Sequence, residues 1–127
     1  MRNLEKILII DNDETAVIYL SMFLAENDFY IISARNGKEG LEKALTEKPC
    51  IIILGMSEES EVTAMRKLQV NKDTKQIPII ITGATPFFRR FFKLKEQFGM
   101  VKDYIEKPID RELLLKKVKE LLTHVTH

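Results

Sequence analysis

The chain is 127 residues long, room for one domain but not comfortably for two. Apolar residues make up 45% and charged residues 31%, which argues against disorder; the single Cys50 excludes an internal disulfide, and no apolar run nears the roughly 18 residues of a membrane span. Formal net charge is only +1, yet residues 1–64 carry 6 Lys+Arg against 12 Asp+Glu while residues 65–127 carry 14 against 7, so an acidic and a basic side are expected if the fold keeps the halves apart.

No repeat, low-complexity tract or linker interrupts the chain, so residues 1–127 read as one domain with a core over about residues 6–122. Residues 1–6 have no secretory pattern, which with the lone cysteine suits a cytoplasmic setting. Short apolar runs recur at Ile7-Leu8-Ile9-Ile10, Tyr30-Ile31-Ile32, Ile51-Ile52-Ile53-Leu54 and, broken by Pro78, Ile77 to Ile81. They are β-branched and mostly unalternated, as parallel strands covered on both faces are. Tyr104-Ile105 is a poorer fifth strand, stopped by Lys107-Pro108.

Helical patterns fill the intervals. Residues 14–26 carry a core stripe of Val17, Leu20, Ser21 and Leu24 with Asp13 placed to cap it, while Ile18, Tyr19, Met22 and Phe23 fall off that stripe as either an interface or tight packing against the fifth helix. Residues 37–47 follow an Asn36-Gly37 turn, residues 61–70 carry Val62, Met65 and Leu68, residues 86–98 open on Thr85-Pro86, and residues 110–123 start at Asp110. The order βαβαβαβαβα predicts an α/β fold, a doubly wound parallel sheet with helices on both faces. Function in such sheets gathers beyond the carboxyl ends of the strands. That points to Asp11-Asn12-Asp13, Gly55-Met56, Thr82-Gly83-Ala84 and Lys107-Pro108.

An acidic cluster after the first strand and a Lys-Pro after the fifth, in a (βα)5 chain of this length, resemble response-regulator receiver domains (CheY-like). Lys6-Ile-Leu-Ile-Ile-Asp11, Pro49-Cys-Ile-Ile-Ile-Leu54 and Asp103-Tyr-Ile-Glu-Lys-Pro-Ile-Asp110 carry the likeness. It implies a flavodoxin-like five-stranded sheet ordered 2-1-3-4-5, and a cis Lys107-Pro108 bond. It also implies phosphoryl transfer from a histidine kinase to an Asp ending the third strand. Two acids after the first strand would hold Mg2+, a Thr or Ser after the fourth and the Lys after the fifth would contact the phosphoryl group, and an aromatic on the fifth would report the change.

Carried over residue by residue, the acceptor position falls on Gly55, the acids on Asp11 and Asn12, the Thr/Ser on Gly83, the lysine on Lys107 and the aromatic on Tyr104. Glycine has no side chain to phosphorylate. Asp13 is the one local substitute acid, and Thr82 stands one residue early, on the opposite face of its strand. The loop 56–60 also lacks the family's Pro and Gly. With two of three oxygen ligands changed, no bound cofactor is expected and Mg2+ binds weakly through Asp11 and Asp13 if at all. Asp13 then reads as a helix cap, Asp11 as a partner for Lys107. Ser57, Ser60, Thr82 and Thr85 read as loop polars and caps, His124 and His127 as a frayed tail, and Cys50 as an inert thiol.

Five of seven phenylalanines lie in residues 87–98. Phe87, Phe91, Leu94 and Phe98 share a helical face that Phe88 and Phe92 widen, and Arg89, Arg90, Lys93 and Lys95 charge the other. A broad core stripe explains this equally as well as a partner surface of Phe87, Phe88, Arg90, Phe91, Tyr104 and Lys116, where aromatics and Arg act as hot spots. The sequence thus predicts a degenerate receiver: no enzyme, but a phosphorylation-independent docking module for a protein with an acidic surface, with homodimerisation through the fourth helix, fifth strand and fifth helix as an option. The rivals are phosphotransfer through Asp11 or Asp13 with a displaced acceptor, and nucleic-acid binding through residues 87–98.

Overall fold

In a computed structural model, residues 4–56, 59–83 and 88–125 are described. They form β1 (Glu5–Ile10), α1 (Glu14–Glu26), β2 (Phe29–Ala34), α2 (Gly37–Glu47), β3 (Ile51–Gly55), α3 (Glu59–Val70), β4 (Ile79–Gly83), α4 (Phe88–Gln97), β5 (Val101–Glu106) and α5 (Arg111–Val125). The five strands pair in parallel in the order β2-β1-β3-β4-β5, the doubly wound topology expected.

Strand alternation splits the core into two layers. Ile7, Ile9, Ile51, Ile53 and Ile80 meet Leu20 and Leu24 of α1 and Leu114 and Val118 of α5. Leu8, Ile10, Ile52, Leu54 and Ile81 meet Ala44, Met65, Leu68, Phe91 and Leu94 from α2, α3 and α4. The central strands are therefore wet on neither face, which is why their sequences run apolar without alternation.

Caps fix the helix starts. Asp13 Oδ1 accepts from the Ala16 N–H (3.2 Å) and Asn36 Oδ1 from the Glu39 N–H (2.9 Å). Both helices begin and end where the sequence places them. Helix α3 starts two residues earlier than its apolar stripe. Helix α4 is described from Phe88, so the Thr85-Pro86 cap lies outside the described residues. The four residues off the α1 stripe divide between the two readings: Phe23 is buried in the layer that α5 shares, Ile18, Tyr19 and Met22 stay exposed, and Ser21 of the stripe is only half-buried. Strand β5 also runs longer than Tyr104-Ile105. As an edge it turns Lys102 outward, and its apolar signal is diluted.

The second edge is β2, where the Lys43 Nζ donates to the Ser33 carbonyl at 2.6 Å. Helix α2 lies close to β1 because Gly40 has no side chain: a Cβ there would stand 2.7 Å from Ile10 Cγ1. Ile10 is fully buried and cannot retreat. Gly40→Ala is expected to cost about 1–3 kcal/mol, the scale of overpacking a filled core. Chemical denaturation checks it, and an unchanged midpoint would show that α2 can shift outward.

Candidate functional site

The strand ends bring the sequence-selected positions to one edge of the sheet. Ile10 pairs with Leu54, Gly55 with Thr82 and Gly83 with Glu106. Backbone bonds continue these ladders past the strands: Asp11 N to Ala34 O, Met56 N to Thr82 O, and Lys107 N to Gly83 O at 2.7 Å. The Lys107-Pro108 bond is cis.

At the centre lies an ion pair. Lys107 Nζ donates to Asp11 Oδ2 at 2.7 Å, and the Asp13 N–H donates to Asp11 Oδ1 at 2.9 Å. The Asp11 side chain is 6% exposed and that of Lys107 29%. Gly55 is what lets the carboxylate sit there. A Cβ on residue 55 would lie 2.5 Å from Asp11 Oδ2 and 2.8 Å from its Cγ, well inside van der Waals contact. Asp11 therefore occupies the room that a side chain at position 55 would need. Lys107 faces this carboxylate instead of solvent.

The neighbouring candidates do not join them. Asn12 and Asp13 are exposed, and Asp13 is engaged as the α1 cap. Thr82 is buried, pairs opposite Gly55 and shares the strand parity of Ile80, so it turns to the α1/α5 layer while Gly83 turns the other way. Its hydroxyl has no hydrogen-bond partner among the described residues. Thr85 and Ser57 lie outside the described residues, and of Ser60 only the helical backbone is described.

On the other side of the sheet, the Tyr104 ring stacks on Phe91, with centroids 5.5 Å apart. Partial burial, and after it Glu106, pushes the Tyr104 phenol above its ordinary pKa. Phe91 corrects the proposed contact surface: the spacing 91, 94, 98 turns it into the core, where it is 9% exposed. Among the described rings of α4, Phe92, tilted against Phe91, is the exposed one at 49%. Arg90 and Lys116 are exposed as expected, Phe87 lies outside the described residues, and of Phe88 only the helical backbone is described. Packing of Tyr19 and Phe23 against the fifth helix is one of the two sequence readings, but the sequence does not name the partner there. The Arg111 guanidinium of α5 lies over the rings of both Tyr19 and Phe23 of α1, at 5.7 and 5.0 Å. No helical periodicity in either segment announces such a contact.

Cys50 is half-buried, its Sγ 3.1 Å from Lys6 O. Burial, with Glu5 adding to it, pushes the thiol up to about 11. The thiolate is the reactive form, so native protein at neutral pH is expected to react with iodoacetamide far more slowly than unfolded protein. Equal rates would show that the thiol is neither shielded nor shifted.

Comparison with known proteins decides the family. The profile of the response regulator receiver domain matches residues 7–119. This chain belongs to that family. As a receiver domain it is 30% identical over 119 residues to the protein PilH of Pseudomonas aeruginosa, covering 92% of this chain and 97% of PilH. It is also 30% identical over 122 residues to the alkaline phosphatase synthesis transcriptional regulatory protein PhoP of Bacillus subtilis, of which it spans 48%. A two-component response regulator from Clostridium difficile superposes with a TM-score of 0.85 at 26% identity, over 97% of this chain and 99% of that one. The chemotaxis response regulator CheY4 of Vibrio cholerae shares the fold at a TM-score of 0.82. The chain is thus a receiver domain of two-component signalling, and receiver domains work with protein partners. No described helix is long and apolar enough to cross a membrane.

The site differs from the oxygen set that a receiver's metal implies. Both Asp11 oxygens already serve as acceptors, Asp13 caps α1, and position 55 offers no oxygen from a side chain. Among the described residues no three His, Cys, Asp or Glu side chains group to hold a metal ion.

Proposed function

We propose that this receiver domain signals by docking to a protein partner in the cytoplasm, without catalysis and without taking up a phosphoryl group. One observation carries the reading: the Asp11 carboxylate fills the room over Gly55 and holds Lys107. The acceptor position therefore has no nucleophile, and the lysine that would neutralise a phosphoryl oxygen is already neutralised by a fixed anion. Asp11 itself is a poor displaced acceptor, because its carboxylate is buried and each oxygen is already engaged, one by Lys107 and one by the Asp13 N–H.

The docking face we propose is α4, β5 and α5, with Phe92, Arg90, Tyr104 and Lys116 at its surface. Exposed Lys93, Lys95, Lys102 and Lys119 make it basic, which favours an acidic partner. Incubation with Mg2+ and a small-molecule phosphodonor, followed by intact mass measurement, tests the reading. The expected spectrum shows the unmodified chain alone, and Mg2+ leaves the amide NMR signals of residues 11–13 in place. A stoichiometric gain of one phosphoryl mass on Asp11 or Asp13 overturns it.

A further inference from the structure

Residues 7–34 contain five acids, Asp11, Asp13, Glu14, Glu26 and Asp28, and no Lys, Arg or His. Within that stretch, α1 presents Glu14, Ile18, Met22 and Glu26 at steps of four residues, all exposed. Such spacing lines them along one helical face: two apolar side chains in the middle and a carboxylate at each end. Ile18 is 60% and Met22 62% exposed. Tyr19 beside them forms one wall of a cleft of about 510 Å³ that continues over Ala16, Leu20, Pro108 and Ile109. The cations that border this face are engaged elsewhere: Lys107 with Asp11, Arg111 with the Tyr19 and Phe23 rings, and Arg35 and Lys43, which share a hollow with Glu14 and Ile18, with Glu39. An occupant must therefore bring an apolar or aromatic knob set among cations.

The same chain carries one. On α4, Phe92 is exposed with Lys93 beside it and Arg90 and Lys95 on the same short helix, against a single acid, Glu96. Helix α1 packs on one layer of the sheet and α4 on the other, so the two surfaces cannot meet within one molecule.

We propose that copies of this receiver domain associate head to tail, α4 of one copy seating Phe92 on the Tyr19/Met22 face of α1 of the next. The acidic partner of the basic face is then a second copy. The inference rests on the docking face proposed above and not on the absence of phosphoryl transfer, which intact mass reports separately. A contact between two different surfaces leaves one of each free on every pair, so it propagates from copy to copy, ending in a ring or running on as a filament. Opposite charges flank it on both sides, so it weakens with salt.

Sedimentation velocity over a concentration series, at low and high salt, tests the proposal on the full chain. Wild type is expected to grow in size with concentration at low salt and to return to monomer at high salt. Met22→Glu and Phe92→Glu, both at exposed sites and checked by circular dichroism, each weaken association at least roughly tenfold, the loss of one hot-spot anchor. An equimolar mixture then forms a 1:1 dimer, because the first variant keeps its α4 and the second its α1. Three results overturn the proposal: a wild type that stays monomeric at high concentration and low salt, a Met22→Glu variant that associates as wild type does (a twofold dimer through α4, β5 and α5), or a mixture that stays monomeric.

Discussion

Lys107→Met is expected to cost about 2–4 kcal/mol of folding stability, more than removal of its partner. Taking one member from a buried pair strands the other in a low-dielectric site, and that penalty exceeds what the intact pair contributes. The asymmetry follows from exposure. Asp11 at 6% would keep only the Asp13 N–H, whereas Lys107 at 29% can turn its ammonium to water. Asp11→Asn keeps the acceptor for Asp13 and should cost about 1 kcal/mol, the worth of an ordinary hydrogen bond. The double variant Asp11→Asn/Lys107→Met should recover most of the Lys107→Met loss, since no charge is then stranded. The exposed Lys6–Glu47 pair, about 40% exposed on both sides (43% and 42%), should contribute far less and fade with salt. Denaturant titrations of the set decide the matter: a larger loss for Asp11→Asn than for Lys107→Met would mean that the carboxylate is not the buried partner.

Gly55→Asp on its own is expected to lose stability, by about 1–3 kcal/mol on overpacking grounds, and still to take up no phosphoryl group. Its Cβ would collide with Asp11, so the Asp11 carboxylate must leave Lys107 and two carboxylates must share one cation. Adding Asn12→Asp and Gly83→Thr supplies the second acid and the hydroxyl that the family resemblance places there. The triple variant is expected to gain one phosphoryl mass per chain with Mg2+ and a small phosphodonor, where wild type and Gly55→Asp gain none. Uptake by Gly55→Asp alone would show that Asp11 does not block the position. An inert triple variant that is folded would show that the residue-by-residue assignment of positions 12, 55 and 83 is wrong.

The sequence shows the fold wherever local chemistry sets the boundary. Asp13 is a cap residue and Asn36-Gly37 a turn signal that a sequence displays directly, so α1 and α2 could be bounded to the residue, although the Asn36 side-chain cap itself came from the structure. The central strands were equally plain, because burial on both faces leaves Ile7–Ile10 and Ile51–Leu54 with no polar position. The edges were not. Strands β2 and β5 mix Tyr30, Ser33, Lys102 and Asp103 into their runs, and one half-wet strand resembles a loop. Helix α4 shows a second limit. Its aromatics span a wide arc, and only the position of the sheet decides that Phe91 faces inward and Phe92, one step of about 100° further, faces out. At the site, the missing acceptor and the retained lysine are legible from Gly55 and Lys107. That Asp11 leans over Gly55, and that Arg111 lies over Tyr19, depends on side-chain rotamers and on contacts 96 and 92 residues apart in sequence, which no spacing encodes.

The ammonium of Lys43 on the Ser33 carbonyl has a consequence for how the open edge of this sheet meets other molecules. Strand β2 ends the sheet with backbone groups that a strand from another molecule could pair with, the usual seed of amyloid-like stacking. Lys43 takes up one of those acceptors with a charge, so an incoming strand must displace a 2.6 Å bond and bury a cation. Contacts between molecules are thereby steered away from the backbone edge and onto helical surfaces, where side chains choose the partner.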